Sequence, residues 1–195
     1  MGKSFKIEKV AVLGTGVMGA QIAAHLTNAK ITVLGFDINQ EIAEKGIEAS
    51  TKIKPSAFYN PKTVEMITPV NYDNHIDQIA DCDWIIEVIA ERLDWKQDLY
   101  SKIHPHLKKE AIITSNTSGI SAHELISNMD ADMARRFFIT HFFNPPRYMK
   151  LVEIICSQKT DTSLIPAMAE FLEGILGKGV VYAKDTPNFI ANRIG

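Results

Sequence analysis

The sequence has little of what marks an unusual polypeptide. It holds two cysteines, Cys82 and Cys156, far apart and in apolar stretches. That excludes a disulfide scaffold and reads as buried, inert thiols in a reducing compartment. No apolar run approaches the roughly 20 residues of a membrane span, and Met1 to Lys6 lacks the apolar core of a signal peptide. Lys6 also stands where a myristoylation signal requires Ser or Thr. Neither sign of charge is in excess, with 21 Lys and Arg against 23 Asp and Glu, so nothing draws the chain to nucleic acid or to an anionic membrane as a whole. There is no internal repeat and no low-complexity linker. The expectation is one cytoplasmic domain, without a metal.

What is present is an alternation of two periods. Val10 to Leu13, Ile31 to Phe36, Trp84 to Ile89, Ala111 to Thr114, Phe137 to Phe143, Leu151 to Ile155 and Val180 to Tyr182 are short apolar runs bounded by turn signals, and each predicts a strand. Helical spacing predicts helices over Met18 to Leu26, Gln40 to Ser50, Asp94 to Leu107, Ser121 to Met129 and Ser163 to Leu176. Ser121 and Glu124 form a capping box at the start of the fourth. Asp185 to Asn188 reads as a fresh helix start, and the prolines at 55 and 61 make the stretch between them the least readable. Alternating strands and helices predict an α/β domain of Rossmann type, a doubly wound, mostly parallel sheet with helices on both faces.

Gly14-Thr-Gly16-Val-Met-Gly19 follows the first predicted strand and opens the first helix, the context that a dinucleotide fingerprint requires. Gly14 allows the tight turn, Gly16 lets the backbone approach a pyrophosphate, and Gly19 lets helix and strand pack closely. Asp37, ending the second strand, sits where a carboxylate accepts from a ribose 2′-hydroxyl and repels a 2′-phosphate, and Ile38-Asn-Gln40 offers no arginine. The expected cofactor is NAD, held by Gly14, Gly16, Val17, Met18, Gly19 and Asp37. The bland alternative makes the glycines an ordinary turn and Asp37 a helix cap.

Two polar clusters end predicted strands, Thr114-Ser-Asn-Thr-Ser118 and Thr140-His-Phe-Phe-Asn-Pro145. Together with the fingerprint, Met149-Lys-Leu-Val-Glu153 and Lys184-Asp-Thr-Pro-Asn-Phe-Ile-Ala-Asn192-Arg193, they resemble the L-3-hydroxyacyl-CoA dehydrogenase family over nearly the whole chain. The resemblance implies NAD-dependent oxidation of the 3-hydroxyl of an acyl-CoA, the dehydrogenation step of fatty-acid β-oxidation. By position it makes His141 the catalytic base, Glu153 its carboxylate partner, Ser118 a contact of substrate and cofactor, and Asn192 an asparagine near the pair. Glu91, Lys96 and Asn144 match positions that contact the nicotinamide half of NAD.

The chain departs from the family at Gly119 and Asn188, and its Lys54 to Pro61 segment looks more like that of the long bacterial multidomain members. Ser50 and Lys54 are therefore weak substrate contacts, with Lys52 beside them. The resemblance further implies a domain over 1–183, a connection from 184 to 195 into a helical domain absent here, and a homodimeric parent paired through that domain. The isolated domain is expected to bind NAD and turn over little substrate. Two other readings stay open: a dehydrogenase of sugar acids or other short hydroxy acids, and a non-catalytic NAD(H) binder akin to lens lambda-crystallin.

Overall fold

The computed structural model describes residues 6–190 and residue 192. In chain order its elements are β1 (Lys9–Leu13), α1 (Val17–Asn28), β2 (Thr32–Asp37), α2 (Gln40–Lys52), β3 (Ile67–Asn71), α3 (Tyr72–His75), β4 (Trp84–Glu87), α4 (Leu93–Ile103), β5 (Ile112–Ser115), α5 (Ala122–Leu125), α6 (Ala131–Arg135), β6 (Phe137–Phe142), β7 (Leu151–Cys156), α7 (Ile165–Gly174) and β8 (Gly179–Ala183). The strands form one sheet in the order β3-β2-β1-β4-β5-β6-β7-β8. β1 to β6 are parallel, β7 runs against β6, and β8 follows β7.

Alternation along each strand splits the core in two, because successive side chains point to opposite faces of a sheet. Val10 and Val12 of β1 join Ile22 and Leu26 of α1 and Leu172 of α7 on one face. Ala11 and Leu13 join Leu99 and Ile103 of α4 and Leu125 of α5 on the other. The doubly wound architecture expected from the sequence is thus the one observed. At its centre the chain leaves β1 toward β2 on one side and returns to β4 on the other. That switch point opens a crevice at the carboxyl ends of the strands, where ligands bind in such sheets.

The differences from the sequence reading have local causes. β3 was not expected, since Pro69 sits inside it; it is an edge strand, pairing only with β2, where proline costs no ladder bond. The helix expected to run to Leu107 ends at Ile103, where Pro105 turns the next residues into a 3-10 turn. The helix expected over Ser121 to Met129 is a single turn, although its capping box is formed. A separate short helix, α6, starts from an Asp130 cap. Asp185 starts no helix of its own: Asn188 and Phe189 take φ values of 63° and 49°, and the Asp185 carboxylate instead accepts from the Ala122 and His123 amides at the start of α5.

Candidate active site and cofactor crevice

β1 ends in a turn that only glycine can make. Gly14 has φ +104°, and a Cβ there would lie 2.8 Å from the Val88 carbonyl oxygen. A Cβ on Gly19 would come within 1.8 Å of the Gly14 oxygen, so α1 rests directly on the turn. Gly16 is different, since a Cβ there would meet nothing within 4 Å. The protein's own packing therefore gives no reason for this glycine, while a pyrophosphate lying on the turn would. No side chain caps α1 at Gly16, which leaves its first amides and the positive end of its dipole for an anion. Val17 projects outward beside them, with Met18 half-buried.

Asp37 is held by that same turn. Its Oδ2 accepts from the Thr15 amide at 2.8 Å and the Thr15 hydroxyl at 2.7 Å, and Oδ1 accepts from the Ile38 amide. It caps no helix; Asn39 does that for α2 by accepting from the Ile42 amide. A carboxylate fixed at the rim in this way suits a diol and opposes a phosphate. Thr15 carries this arrangement, and sequence reasoning missed it. It also missed Gly46, where a Cβ would lie 2.1 Å from the Thr15 oxygen, so that α2 closes onto the turn. Beside it lies a groove of about 420 Å³ lined by Gly16, Val17, Asp37, Lys45, Ala49 and Ser50, among others. Ser50 lines this groove but is buried and spends its hydroxyl on the Ile47 carbonyl. Lys54 is exposed and outside the lining, and Lys52 pairs with Glu48.

The second half of the crevice is built by β4, β5, β6 and β7. His141 and Glu153 are register partners across the antiparallel β6–β7 pair, and His141 Nδ1 lies 2.8 Å from Glu153 Oε2. Both side chains are buried, at 5% and 1% exposure. The other oxygen of Glu153 accepts from the Ile190 amide at 3.0 Å. His141 is flanked by the Phe143 ring, with centroids 4.4 Å apart, and by the buried Phe189 ring at 5.7 Å. Its Nε2 faces the crevice and sits 3.2 Å from the Ser118 hydroxyl.

Ser118 lies in the loop after β5, and Glu91 in the loop after β4 gathers that loop up. One oxygen of Glu91 accepts from the Thr117 hydroxyl and from the Ser118 and Gly119 amides, each amide at 2.9 Å. Burial pushes the Glu91 carboxyl up, but the Thr117 hydrogen bond, the Lys96 charge and the two amides outweigh it and hold it below the usual carboxylate range. Lys96 lies beneath this loop rather than on the rim: it is 1% exposed, with its ammonium 2.6 Å from Glu87 and 3.6 Å from Glu91. Asn144 is exposed, and its side chain accepts from Gln21 of α1 at 3.1 Å, which ties the loop after β6 to the glycine turn's helix.

Of the residues expected at the site, the fold therefore brings together the three glycines, Val17, Met18 and Asp37 at one end, and Ser118, His141, Glu153, Glu91 and Asn144 at the other. Asn192 is exposed and makes no hydrogen bond to the pair among the described residues. Among those residues no cluster of three or more metal-ligating side chains occurs, and no helix is long and apolar enough to cross a membrane.

Residues 9–186 match the family model described as 3-hydroxyacyl-CoA dehydrogenase, NAD binding domain. A probable 3-hydroxyacyl-CoA dehydrogenase of Deinococcus radiodurans is 46% identical over 97% of this chain and 57% of its own length. A putative fatty acid oxidation complex trifunctional enzyme of Rickettsia felis is 43% identical over 97% of the chain and 27% of its own. Among solved structures, 3-hydroxybutyryl-CoA dehydrogenase from Escherichia coli K12 is similar with a TM-score of 0.85 and 29% identity, over 97% of this chain and 41% of that one. The resemblance read from the motifs, including the likeness to multidomain bacterial members, agrees with these matches. The chain spans little more than half of the first relative and about a quarter of the second.

Proposed function

Because the chain belongs to the family of NAD-binding domains of 3-hydroxyacyl-CoA dehydrogenases, we propose that it supplies the cofactor site and the catalytic pair for oxidation of an L-3-hydroxyacyl-CoA to the 3-ketoacyl-CoA. The observation that carries this reading is a buried His141–Glu153 pair whose second imidazole nitrogen lies 3.2 Å from the Ser118 hydroxyl. A domain that only bound a dinucleotide would need neither residue, which disfavours the crystallin-like alternative.

NAD, when bound, supplies the hydride acceptor. The glycine turn and the start of α1 would hold its pyrophosphate, Asp37 a ribose diol, and the rim formed by Glu91, Ser118 and Asn144 its other end. The remaining chemistry is a proton transfer. With Glu153 accepting from Nδ1–H, the tautomer is fixed and Nε2 is left as an acceptor. Nε2 takes the 3-hydroxyl proton as the C3–H bond breaks, and the buried carboxylate stabilises the imidazolium that forms. Ser118, already within hydrogen-bond reach of Nε2, holds the substrate oxygen as it changes from alcohol to carbonyl. Phe143 and Phe189 keep water off the ring's faces.

Acyl-CoA is the substrate class in this reading, and the groove beside Asp37 belongs to the adenosine end of the cofactor. A helical segment following this domain would pair two copies, and the setting is the cytoplasm. A single-turnover experiment tests the activity, with the protein in excess over NADH and absorbance followed at the nicotinamide band. Acetoacetyl-CoA is expected to oxidise NADH, free acetoacetate is not, and His141→Gln is expected to abolish the reaction. Oxidation by the free acid as fast as by the ester would favour the short hydroxy-acid reading, and no oxidation by either would contradict the proposal.

A further inference from the structure

Glu87 ends β4 between β1 and β5 and is completely buried. Its carboxylate is saturated by the protein itself. Oε1 accepts from Lys96 Nζ at 2.6 Å and the Ile89 amide at 2.7 Å, while Oε2 accepts from the Tyr100 hydroxyl at 2.8 Å and the Ser115 hydroxyl at 2.6 Å. No lone pair remains to meet a ligand, so Glu87 is not arranged for direct contact with one. A buried ion pair is a costly way to stabilise a core, since apolar residues of the same volume do as well or better. What this pair holds explains its presence.

The four donors come from different places. Ile89 lies in the loop that carries Glu91, Ser115 lies at the head of the loop that carries Ser118, and Lys96 and Tyr100 lie on α4. The Ser115 hydroxyl, fixed by Glu87, accepts in turn from the Thr117 amide at 3.1 Å, and the Asn116 amide donates to the Glu87 carbonyl at 2.8 Å. Lys96, fixed by Glu87, also reaches the Ile89 carbonyl at 3.3 Å and lies 3.6 Å from Glu91. Glu91 then grips Thr117, Ser118 and Gly119 from above. The loops after β4 and β5 are thus sewn together twice, at the rim by Glu91 and in the core by Glu87.

We propose that Glu87 is the positioning residue for the rim of the crevice: with Lys96 as its counter-ion, it sets the places of Glu91 and Ser118. The inference rests on the cofactor reading for what the rim meets, and on geometry alone for what the knot holds. It separates the crevice into two halves. The glycine turn and Asp37 make no hydrogen bond to the Glu87 carboxylate, whereas the loop that carries Ser118 does so through Ser115.

The test uses the chain with Glu87→Gln, with Glu87→Gln and Lys96→Met together, and with Ser115→Ala. The single Glu87 change strands the ammonium in the core and is expected to lower stability; the double change removes both charges and is expected to keep the fold. NADH and ADP-ribose are the probes, since they share the adenosine diphosphate end and differ at the nicotinamide. In the double variant NADH should bind about tenfold more weakly, on the scale by which small displacements of positioned groups act, with ADP-ribose affinity unchanged. Ser115→Ala should show the same contrast at smaller amplitude, and it decides the matter if the double variant does not fold. The His141 ring resonances, read by NMR without ligand, should shift in the same variants. Equal losses for the two probes, or intact NADH affinity with unmoved His141 resonances, overturn the inference. If the unaltered chain bound neither probe, the cofactor reading would fall, and the His141 resonances would still decide what Glu87 does.

Discussion

His141 and Glu153 stand directly opposite each other in the register of β6 and β7, and the 2.8 Å contact between them depends on β7 running against β6. A parallel β7 would carry residue 153 to the far end of the sheet from the crevice. The reversal, made through the loop of residues 143–150, is what turns two residues twelve positions apart into a buried acid–base pair.

From that pairing, Glu153→Gln should leave NADH affinity unchanged and slow single-turnover oxidation of NADH by acetoacetyl-CoA by about two orders of magnitude or more, because the imidazole loses both its fixed tautomer and its counter-charge. Binding titration beside stopped-flow absorbance checks this. An unaltered rate would show that the carboxylate has no part in the proton transfer.

The contrast between two glycines yields a second expectation. Gly16→Ala adds a Cβ in open space, so the variant should melt within a few degrees of the parent while losing about tenfold or more in NADH affinity. Gly46→Ala drives a Cβ into the Thr15 backbone and should lower the melting temperature clearly. Thermal denaturation with and without NADH distinguishes the two. Unchanged NADH affinity in Gly16→Ala would mean that nothing approaches the turn.

Acid stability should depend on His25, which is unconnected with catalysis. Burial, helped by the Lys178 charge, pushes its imidazole down from 6.5 to about 4, and its Nε2 meets the Leu176 carbonyl while Nδ1 has no partner. The unfolded chain therefore takes up a proton near pH 6.5 that the folded chain refuses until about pH 4. Stability from this group is fully present above pH 6.5, falls as pH drops through that window by about 3 kcal/mol, and changes no further below it. Denaturant unfolding of the parent and of His25→Gln at pH 7 and pH 4.5 should show a smaller acid loss in the variant. Equal losses would place the effect elsewhere.

Much of this was legible in the sequence because the relevant signals are local. A strand, a glycine turn and a helix within twenty residues announce the cofactor crevice, and Asp37 follows at the end of the next strand. The strand ends that carry Ser118 and His141 were equally readable, since apolar runs stop at polar clusters there. What escaped were partnerships made across the sheet. Thr15 looks like a spacer between two glycines until Asp37 is seen to accept both of its donors. Glu87 reads as one more residue of a strand, and only the stacking of β4, β5 and α4 shows it gathering four donors. β3 was hidden by a proline that only an edge position tolerates. Residues 185–188 read as a helix start because Asp185 has the residue type of a cap, and it does cap a helix, but one more than sixty residues away in sequence.

The site at the ends of β1 and β2 decides which dinucleotide the crevice takes. Calorimetric titration of the chain with NADH and with NADPH, beside Asp37→Ala, measures it. The predicted result is NADH bound at least about tenfold more tightly than NADPH, from repulsion of a 2′-phosphate by a fixed carboxylate and loss of its hydrogen bond to the diol, with the gap closed in the variant. Equal affinity of the unaltered chain for both, or binding of neither, would contradict the assignment of this crevice to NAD.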